Sequence, residues 1–173
     1  CFIIQISGNL LANALSKVIL TNGTQACRVF WLINGTTSLS NGAVMKGNCL
    51  TNDNITFATN ANLEGRCLTK NGTIILNLVR AFIPLGCGLP ELIGPNYPNV
   101  GSLGCFSIFN DNGSIKNTGT TNITGDVGTN SGIVDGFDPA GVNGMIHYVP
   151  DAWTIQGEID NLALYNELNA VSC

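Results

Sequence analysis

The chain has 173 residues, a length that suits one medium-sized domain or two partial domains joined by a linker. Hydrophobic residues make up 45% of it, but only 7 Lys or Arg and 11 Asp or Glu are present. The net charge is −4 and the basic residues are scattered along the sequence. Nucleic-acid binding requires a clustered basic face, so this function is excluded. Solubility therefore depends on uncharged polar residues, chiefly 23 Asn and 15 Thr. Such a surface suits extracellular stacked strands better than a cytosolic enzyme.

Residues 1–83 consist of short apolar runs separated by Asn-Gly or other Asn-rich turns. Short runs of β-branched and aromatic residues bounded by turn residues predict strands. The predicted strands cover residues 2–6, 17–21, 28–33, 43–51, 55–58 and 73–79.

Two stretches of this region repeat at a spacing of 18 residues. Segments 43–51 and 61–69 both read Ala, three residues, Gly, one residue, then Cys-Leu-Thr. A period of about 18 to 22 residues corresponds to one turn of a three-sided solenoid. Parallel coils stack about 4.8 Å apart, so Cys49 is expected to lie over Cys67. The two cysteines are then either a stacked pair of core residues or a disulfide.

Residues 84–104 change character, because four prolines alternate with glycines there. Proline and glycine at this density interrupt both helices and strand ladders, which predicts a linker. Cys87 and Cys105 bracket the segment and are candidates for disulfides that hold it in place.

Residues 105–149 return to short strands and tight turns, and one helix follows. Asp151 is a good N-cap for a helix over about residues 151–170. An apolar stripe at spacings of four, three and three residues is predicted to lie along the solenoid: Ile155, Ile159, Leu162 and Tyr165.

The seven cysteines predict disulfides in an oxidising compartment, because none is arranged as CxxC and the single His leaves a zinc site without ligands. An odd number leaves one thiol for pairing outside the chain. No stretch reaches the roughly 20 apolar residues that span a bilayer, and the first residues lack the basic start of a signal peptide. Any signal peptide would therefore lie outside this sequence. The disulfide candidates are Cys1, Cys27, Cys49, Cys67, Cys87, Cys105 and Cys173.

Six Asn-x-Ser/Thr sequons are candidate glycosylation sites. Four of them read Asn-Gly-Thr or Asn-Gly-Ser, a turn sequence that holds the Asn outward. The six are Asn22, Asn34, Asn54, Asn71, Asn112 and Asn122.

Several segments together resemble the microbial ice-binding-protein-like family. Gly119-Thr-Thr-Asn-Ile-Thr-Gly-Asp-Val-Gly-Thr-Asn130, Gly136-Phe-Asp-Pro139 and Gly144-Met-Ile-His147 are similar to its opening half, which precedes a long helix. Residues 2–78 resemble its closing half, through Phe2-Ile-Ile-Gln-Ile and the segment 18–31. The resemblance implies a mostly β fold: an irregular, right-handed, three-sided β-solenoid with one long α-helix packed alongside.

The two halves stand in reversed order, and the segment that should join the helix to the Phe-Ile-x-Gln-Ile strand is absent. The resemblance thus implies closing coils over 1–83, a linker over 84–104, and opening coils plus the helix over 105–173. The chain is interpreted either as a section of a longer tandem array, cut between equivalent positions, or as a permuted subunit whose first half completes the fold with the second half of its neighbour. In both cases, head-to-tail stacking on neighbouring copies would satisfy unpaired backbone groups, and stacking that does not close yields a filament.

Catalysis is not expected. The only acidic grouping is Asp126, Asp135 and Asp138, which reads as turn residues beside glycine, and His147 reads as a structural histidine. An EF-hand spacing, a P-loop, a dinucleotide fingerprint and a nucleophile elbow are all missing from the sequence, so neither a cofactor nor a metal is predicted.

The sequence therefore predicts a secreted, glycosylated, disulfide-stabilised structural module of a cell-surface fibre. Two alternatives remain: an ice-binding protein with a flat Thr-bearing face, and an adhesin domain. Partners are then copies of the chain, ice or another surface. The candidate ice-facing residues are Thr51, Thr69, Thr118, Thr120 and Thr121.

Overall fold

The structure is a computed structural model that describes residues 1–84 and 98–171. These residues form short strands and one long helix. In chain order the strands are β1 (Phe2–Ile6), β2 (Leu10–Ala12), β3 (Val29–Ile33), β4 (Thr37–Leu39), β5 (Val44–Lys46), β6 (Asn48–Thr51), β7 (Ile55–Phe57), β8 (Asn62–Glu64), β9 (Cys67–Asn71), β10 (Ile74–Asn77), β11 (Arg80–Phe82), β12 (Phe106–Asn112), β13 (Ile115–Thr118), β14 (Asn122–Thr124), β15 (Asp126–Thr129), β16 (Val134–Asp135), β17 (Val142–Asn143) and β18 (Ile146–His147), and the helix is α1 (Ala152–Asn169).

The strands form three parallel sheets, which are the three sides of a β-solenoid. Sheet A has the order β1-β3-β6-β9-β12-β15-β18, sheet B the order β16-β13-β10-β7-β4-β2, and sheet C the order β17-β14-β11-β8-β5. From β3 to β17, each coil contributes one strand to each side in turn. The predicted three-sided solenoid with a helix alongside is confirmed, although residues 17–21 make only an isolated bridge, from Lys17 to Val44.

The core lies inside the three sheets, because alternate residues of each strand point inward. Ile55 and Phe57 of β7 are fully buried while Thr56 between them is exposed, and the neighbouring coils repeat this pattern. Corners between the sheets are tight. Gly65 has a φ of +150°, and a Cβ there would lie 1.9 Å from the carbonyl oxygen of Gly47 in the next coil. Only glycine allows that approach.

Cys49 and Cys67 lie opposite each other in β6 and β9, as the 18-residue repeat predicts. Both are fully buried in the core, and both thiols are free. Of the two possibilities that the sequence leaves open, a disulfide and a stacked pair of core residues, the structure has the stacked pair. Burial raises the pKa of Cys49 to about 12 and that of Cys67 well above its usual value, so neither forms a thiolate at neutral pH.

The coils on either side of the Pro- and Gly-rich segment stack directly on each other. Strand β9 pairs with β12, matching Leu68 to Phe109 and Thr69 to Asn110. Buried Arg66 supports this junction by donating hydrogen bonds to the carbonyl oxygens of Leu103, at 3.1 Å, and Gly104, at 2.8 Å. Most of the predicted linker, residues 85–97 with Cys87, lies outside the described residues. The division into domains remains a prediction.

Helix α1 begins where the sequence predicts. The carboxylate of Asp151 accepts hydrogen bonds from the backbone N–H groups of Trp153 and Thr154, and the Thr154 hydroxyl completes the capping box. The described residues include no helix long and apolar enough to cross a membrane.

The predicted buried stripe of this helix is wrong. Ile155, Ile159 and Leu162 are 52%, 57% and 47% exposed, and Tyr165 is half-buried. The face that packs on sheet A instead carries Thr154, Gly157, Asn161, Leu164 and Leu168.

The physical reason for the difference lies in the surface beneath the helix. The outer side of sheet A is already bulky, and the helix approaches it through a glycine. A Cβ on Gly157 would lie 2.8 Å from Cζ of Phe109. Small and polar residues therefore occupy the buried face together with two leucines.

Candidate functional site

Sheet A offers no open surface over most of its length, because α1 covers it. Leu50, Leu68 and Phe109 point outward from this sheet, yet all are buried in a cluster with Leu164 and Leu168 of the helix. A large external surface cannot bind to this side of the solenoid without displacing the helix.

Sheet C presents charged side chains in three successive coils. Lys46 and Glu64 form an ion pair of 2.7 Å between neighbouring strands, and Arg80 lies over the ring of Phe82 at 5.4 Å. Lys46, Glu64 and Phe82 stand in register along the outer side of the sheet. This face is therefore uneven in side-chain size and carries charges.

Sheet B presents a largely uncharged face. Its central outward row is Leu11, Ser38, Thr56 and Ile75, one residue from each of four successive coils in strict register. Leu11 is 63% and Ile75 44% exposed, and Thr56 is exposed between them. The row continues into charged residues only in the last two coils, at Lys116 and Asp135.

Side-chain hydrogen bonds stiffen the edge of sheet B at its corner with sheet A. Asn9 Oδ1 accepts a hydrogen bond of 2.9 Å from the backbone N–H of Thr36, and Asn54 Oδ1 accepts one of 2.7 Å from that of Thr73. Each bond joins one coil to the next. The corner therefore adds side-chain links to the backbone ladder of the sheet.

The opposite edge of sheet B also carries short polar side chains. Asn77 donates a hydrogen bond of 3.1 Å to the hydroxyl of Thr59, and Thr118 stands beside Asn77 in the next strand. Hydroxyl, amide and methyl groups thus border the central row on both sides.

Of the five candidate ice-facing threonines, three are buried and two are exposed. Thr51 and Thr69 stack as predicted, but they point inward and are only 1% and 0% exposed. Thr51 shares a hydrogen bond of 2.7 Å with the Thr37 hydroxyl, and Thr69 donates to the carbonyl oxygens of Asp53 and Asn71. The prediction that Thr51 and Thr69 lie on an outer face is therefore wrong. Their hydroxyls form hydrogen bonds with backbone and side-chain groups inside the corner between sheets A and B.

Of the other three threonines, Thr121 is also buried. Its hydroxyl donates to Asn117 Oδ1 at 2.6 Å and accepts from the backbone N–H of Val79 at 3.1 Å. Thr118 and Thr120 are exposed. The sequence reasoning missed Ser38, Thr56 and Ile75, although their position between two inward apolar residues was a usable signal.

All six sequon asparagines are exposed. Asn34, Asn71 and Asn112 lie along the corner between sheets A and B, and Asn71 pairs with Asn112 in register. Asn34 accepts a hydrogen bond of 3.0 Å from the Tyr165 hydroxyl. Asn54 lies at the same corner, Asn22 lies before β3, and Asn122 begins β14 on sheet C. Their glycosylation remains a prediction.

Among the remaining cysteines, Cys1 and Cys105 are exposed with free thiols. Cys27 is buried and disulfide-bonded. Cys87 and Cys173 lie outside the described residues.

The acidic residues singled out in the sequence do not converge on one site. Asp135 faces out from sheet B, Asp138 accepts a hydrogen bond from the backbone N–H of Ala140, and Asp126 accepts one from that of Met145. Within residues 1–84 and 98–171, no group of three His, Cys, Asp or Glu side chains is placed to hold a metal ion.

His147 is buried at the start of the helix. Its Nδ1 lies 2.6 Å from Asp151 Oδ2, so the ring helps to hold the N-cap residue in place. Hydrogen bonding to His147 and to the backbone of the first helical turn outweighs desolvation and lowers the pKa of Asp151.

Comparison with known proteins finds similar proteins for the first part of the chain. Residues 1–80 match the model of the ice-binding-like family, which confirms the resemblance seen in residues 2–78. An ice-binding protein of Flavobacterium frigoris (strain PS1) is 30% identical over 79 residues, which are 45% of this chain and 29% of that protein. An ice-binding protein of Colwellia is 35% identical over 81 residues, or 46% of this chain and 32% of that protein.

An ice-binding protein of Nostoc (strain HG1) is 34% identical over 77 residues, or 44% of this chain and 28% of that protein. The matched segments thus span less than a third of each of these relatives. The crystal structure of an ice-binding protein from an Antarctic bacterium of the Flavobacteriaceae aligns with 99% of this chain and 41% of its own, with 42% identity and a TM-score of 0.49.

Proposed function

Because residues 1–80 match the model of the ice-binding-like family, we propose that this chain binds ice through the outer face of sheet B, centred on Ser38, Thr56 and Ile75. The observation that carries the proposal is the row of uncharged side chains in register across four coils of a parallel sheet. We therefore propose ice binding, and not a structural role in a fibre, as the main function, since the curated relatives are ice-binding proteins.

The chemistry of this face suits solid water. Parallel strands repeat about every 4.8 Å, so each exposed side chain recurs at a regular interval. Thr56 offers a hydroxyl and a methyl group, and Ile75 and Leu11 offer apolar surface whose removal from liquid water is favourable. Sheet C is a poorer candidate, because an ice lattice cannot satisfy Lys46, Glu64 and Arg80 as liquid water does.

Rigidity is the second requirement. A surface that must order before it binds loses conformational entropy on binding, which weakens the complex. Backbone ladders and the Asn9 and Asn54 hydrogen bonds hold sheet B in place beforehand. Ice binding involves no covalent step, so the proposal needs no catalytic residue, and it places the protein outside the cell where ice forms.

Substitution of Thr56 tests the proposal. Thr56→Tyr puts a bulky ring in the middle of this row, and we expect thermal hysteresis and inhibition of ice recrystallisation to fall severalfold. The matched control is Thr124→Tyr, which changes a threonine that is also exposed but lies on sheet C. Circular dichroism melting curves verify that both variants fold. Equal activity of the two variants, or an inactive wild-type protein, contradicts the proposal.

A second candidate function is assembly with further copies of the chain, and the first coil favours it. In the part of the chain that the structure describes, β1 and β2 each form one edge of sheets A and B, respectively. Phe2, Leu15 and Ile19 of this coil are 59%, 75% and 76% exposed. An open, apolar edge strand is a template for pairing with another chain.

A further inference from the structure

Helix α1 carries an apolar stripe that faces away from its own sheet. Ile155, Ile159 and Leu162 are separated by four and three residues, so they lie on one side of the helix. Each is about half exposed or more, at 52%, 57% and 47%. Contiguous exposed aliphatic residues of this kind mark interaction sites in soluble proteins.

The charged side chains of the helix itself have one sign. Residues 152–169 contain Glu158, Asp160 and Glu167 but neither Lys nor Arg. The carboxylate of Asp160 accepts hydrogen bonds from the Ser102 backbone N–H and hydroxyl, both at 2.7 Å. Desolvation raises the pKa of Asp160, but these hydrogen bonds outweigh it and lower the pKa overall. The Asn130 amide donates a hydrogen bond to Glu158. Glu158 thus lies next to the stripe, with Lys70 of sheet A in the same cleft, and Asp160 lies further round the helix towards Ser102.

A cleft adjoins the stripe on the side of Glu158. It has a volume of about 430 Å³ and is lined by Leu162 and Glu158 of the helix and by Lys70, Asp111 and other polar residues of sheet A. The ammonium group of Lys70 is engaged over the ring of Tyr165, 4.3 Å from its centroid. An elongated partner lying along the helix would extend side chains into this cleft.

We propose that this surface binds an amphipathic helix whose apolar face is flanked by Lys or Arg. Helices pack by placing apolar side chains of one between those of the other, and opposite charges on the flanks then select the partner. A second copy of α1 is disfavoured, because its carboxylates would face those of the first. An anionic membrane surface is disfavoured for the same reason. The proposal is independent of ice binding, since sheet B takes no part in it.

Titration with a synthetic peptide tests the apolar contact. The probe is an 18-residue Leu/Lys helix with leucines along one face, measured by isothermal titration calorimetry at physiological ionic strength. We expect one peptide to bind per chain, and Ile159→Asn to weaken binding roughly tenfold or more, since burying one isoleucine contributes at least that factor. Ile133→Asn, at a side chain 65% exposed near β16, is the matched control and should leave binding unchanged.

The charge requirement has its own controls. Glu158→Gln is expected to weaken binding of the Leu/Lys peptide, whereas Asp135→Asn on sheet B is not. A peptide with glutamate in place of every lysine should not bind. Equal binding by all variants, preferential dimerisation of the chain through Ile159, or attachment to phosphatidylcholine vesicles instead of the peptide would each overturn the proposal. Loss of ice binding in Thr56→Tyr with unchanged peptide binding keeps the two functions distinguishable.

Discussion

Asp111 and Asn161 join the helix to sheet A through a buried side-chain hydrogen bond. Asn161 Nδ2 donates to Asp111 Oδ1 at 2.9 Å, and Asp111 is only 5% exposed. Burial raises the pKa of Asp111 to about 8, with a further increase from Glu158 that is opposed by the Asn161 hydrogen bond and by Lys70. The carboxyl group is therefore mostly protonated in the folded protein at neutral pH.

The raised pKa of Asp111 predicts how stability depends on pH. Between about pH 4 and pH 8 the folded protein holds a proton that the unfolded chain has released, so the free energy of unfolding decreases as pH rises. The contribution is fully present below the ordinary aspartate pKa and is lost as pH passes through about 8. Asp111→Asn, which mimics the neutral acid, should flatten this dependence in urea denaturation curves recorded across the window. Asp135→Asn should keep it, and an unchanged slope in Asp111→Asn would refute the assignment.

Helix α1 shows how one element can carry two apolar faces. One face, with Leu164 and Leu168, packs on Leu50, Leu68 and Phe109, while the stripe of Ile155, Ile159 and Leu162 remains exposed. Both sets recur at helical spacing. Gly157 decides between them, because only a residue without a side chain lets the helix approach Phe109 so closely.

Two identical substitutions on this helix test which face is buried. Leu164→Ala removes a fully buried side chain and should lower the free energy of unfolding by about 2–5 kcal/mol. Leu162→Ala, two residues away and 47% exposed, should change it by only about 0.5 kcal/mol. Urea denaturation of both variants gives the comparison. Similar losses in the two would mean that the helix packs differently.

At the level of the whole molecule, the solenoid is covered unevenly. Sheet A lies beneath the helix, sheets B and C are open, and the first coil has edge strands at β1 and β2. Parallel coils pair with the coils above and below them, so β1 and β2 offer backbone donors and acceptors to a neighbouring coil. Assembly through this end would leave the face of sheet B free for ice.

Sedimentation velocity over a range of concentrations tests this assembly. We expect the wild-type chain to self-associate and Leu15→Lys to suppress association, because the substitution places a charge on a coil edge where Leu15 is 75% exposed. Ile159→Lys, on the helix, serves as the control and should associate like the wild type. A wild-type chain that stays monomeric at every concentration, with no filaments in negative-stain micrographs, removes this second candidate function.

The amino-acid sequence by itself determined the coil architecture. The 18-residue repeat with its corner glycines specified stacked coils, since Gly47 and Gly65 meet where a Cβ cannot fit. It also placed Cys49 over Cys67 and started the helix after Asp151. These features depend on local turn chemistry and on side chains that recur at one position of each coil, both of which can be read along a single chain.

Only the tertiary structure decided which side of each element is covered. A periodic pattern shows that residues share a face, but burial depends on the surface that the face meets. Thr51 and Thr69 stack as the repeat predicts, yet their hydroxyls turn inward to bond within the corner. The helix packs through Gly157 and Leu164 because the aromatic ring of Phe109 already fills the space beneath it. Such shape matching between distant segments is set by their packing and leaves no signature in the local sequence.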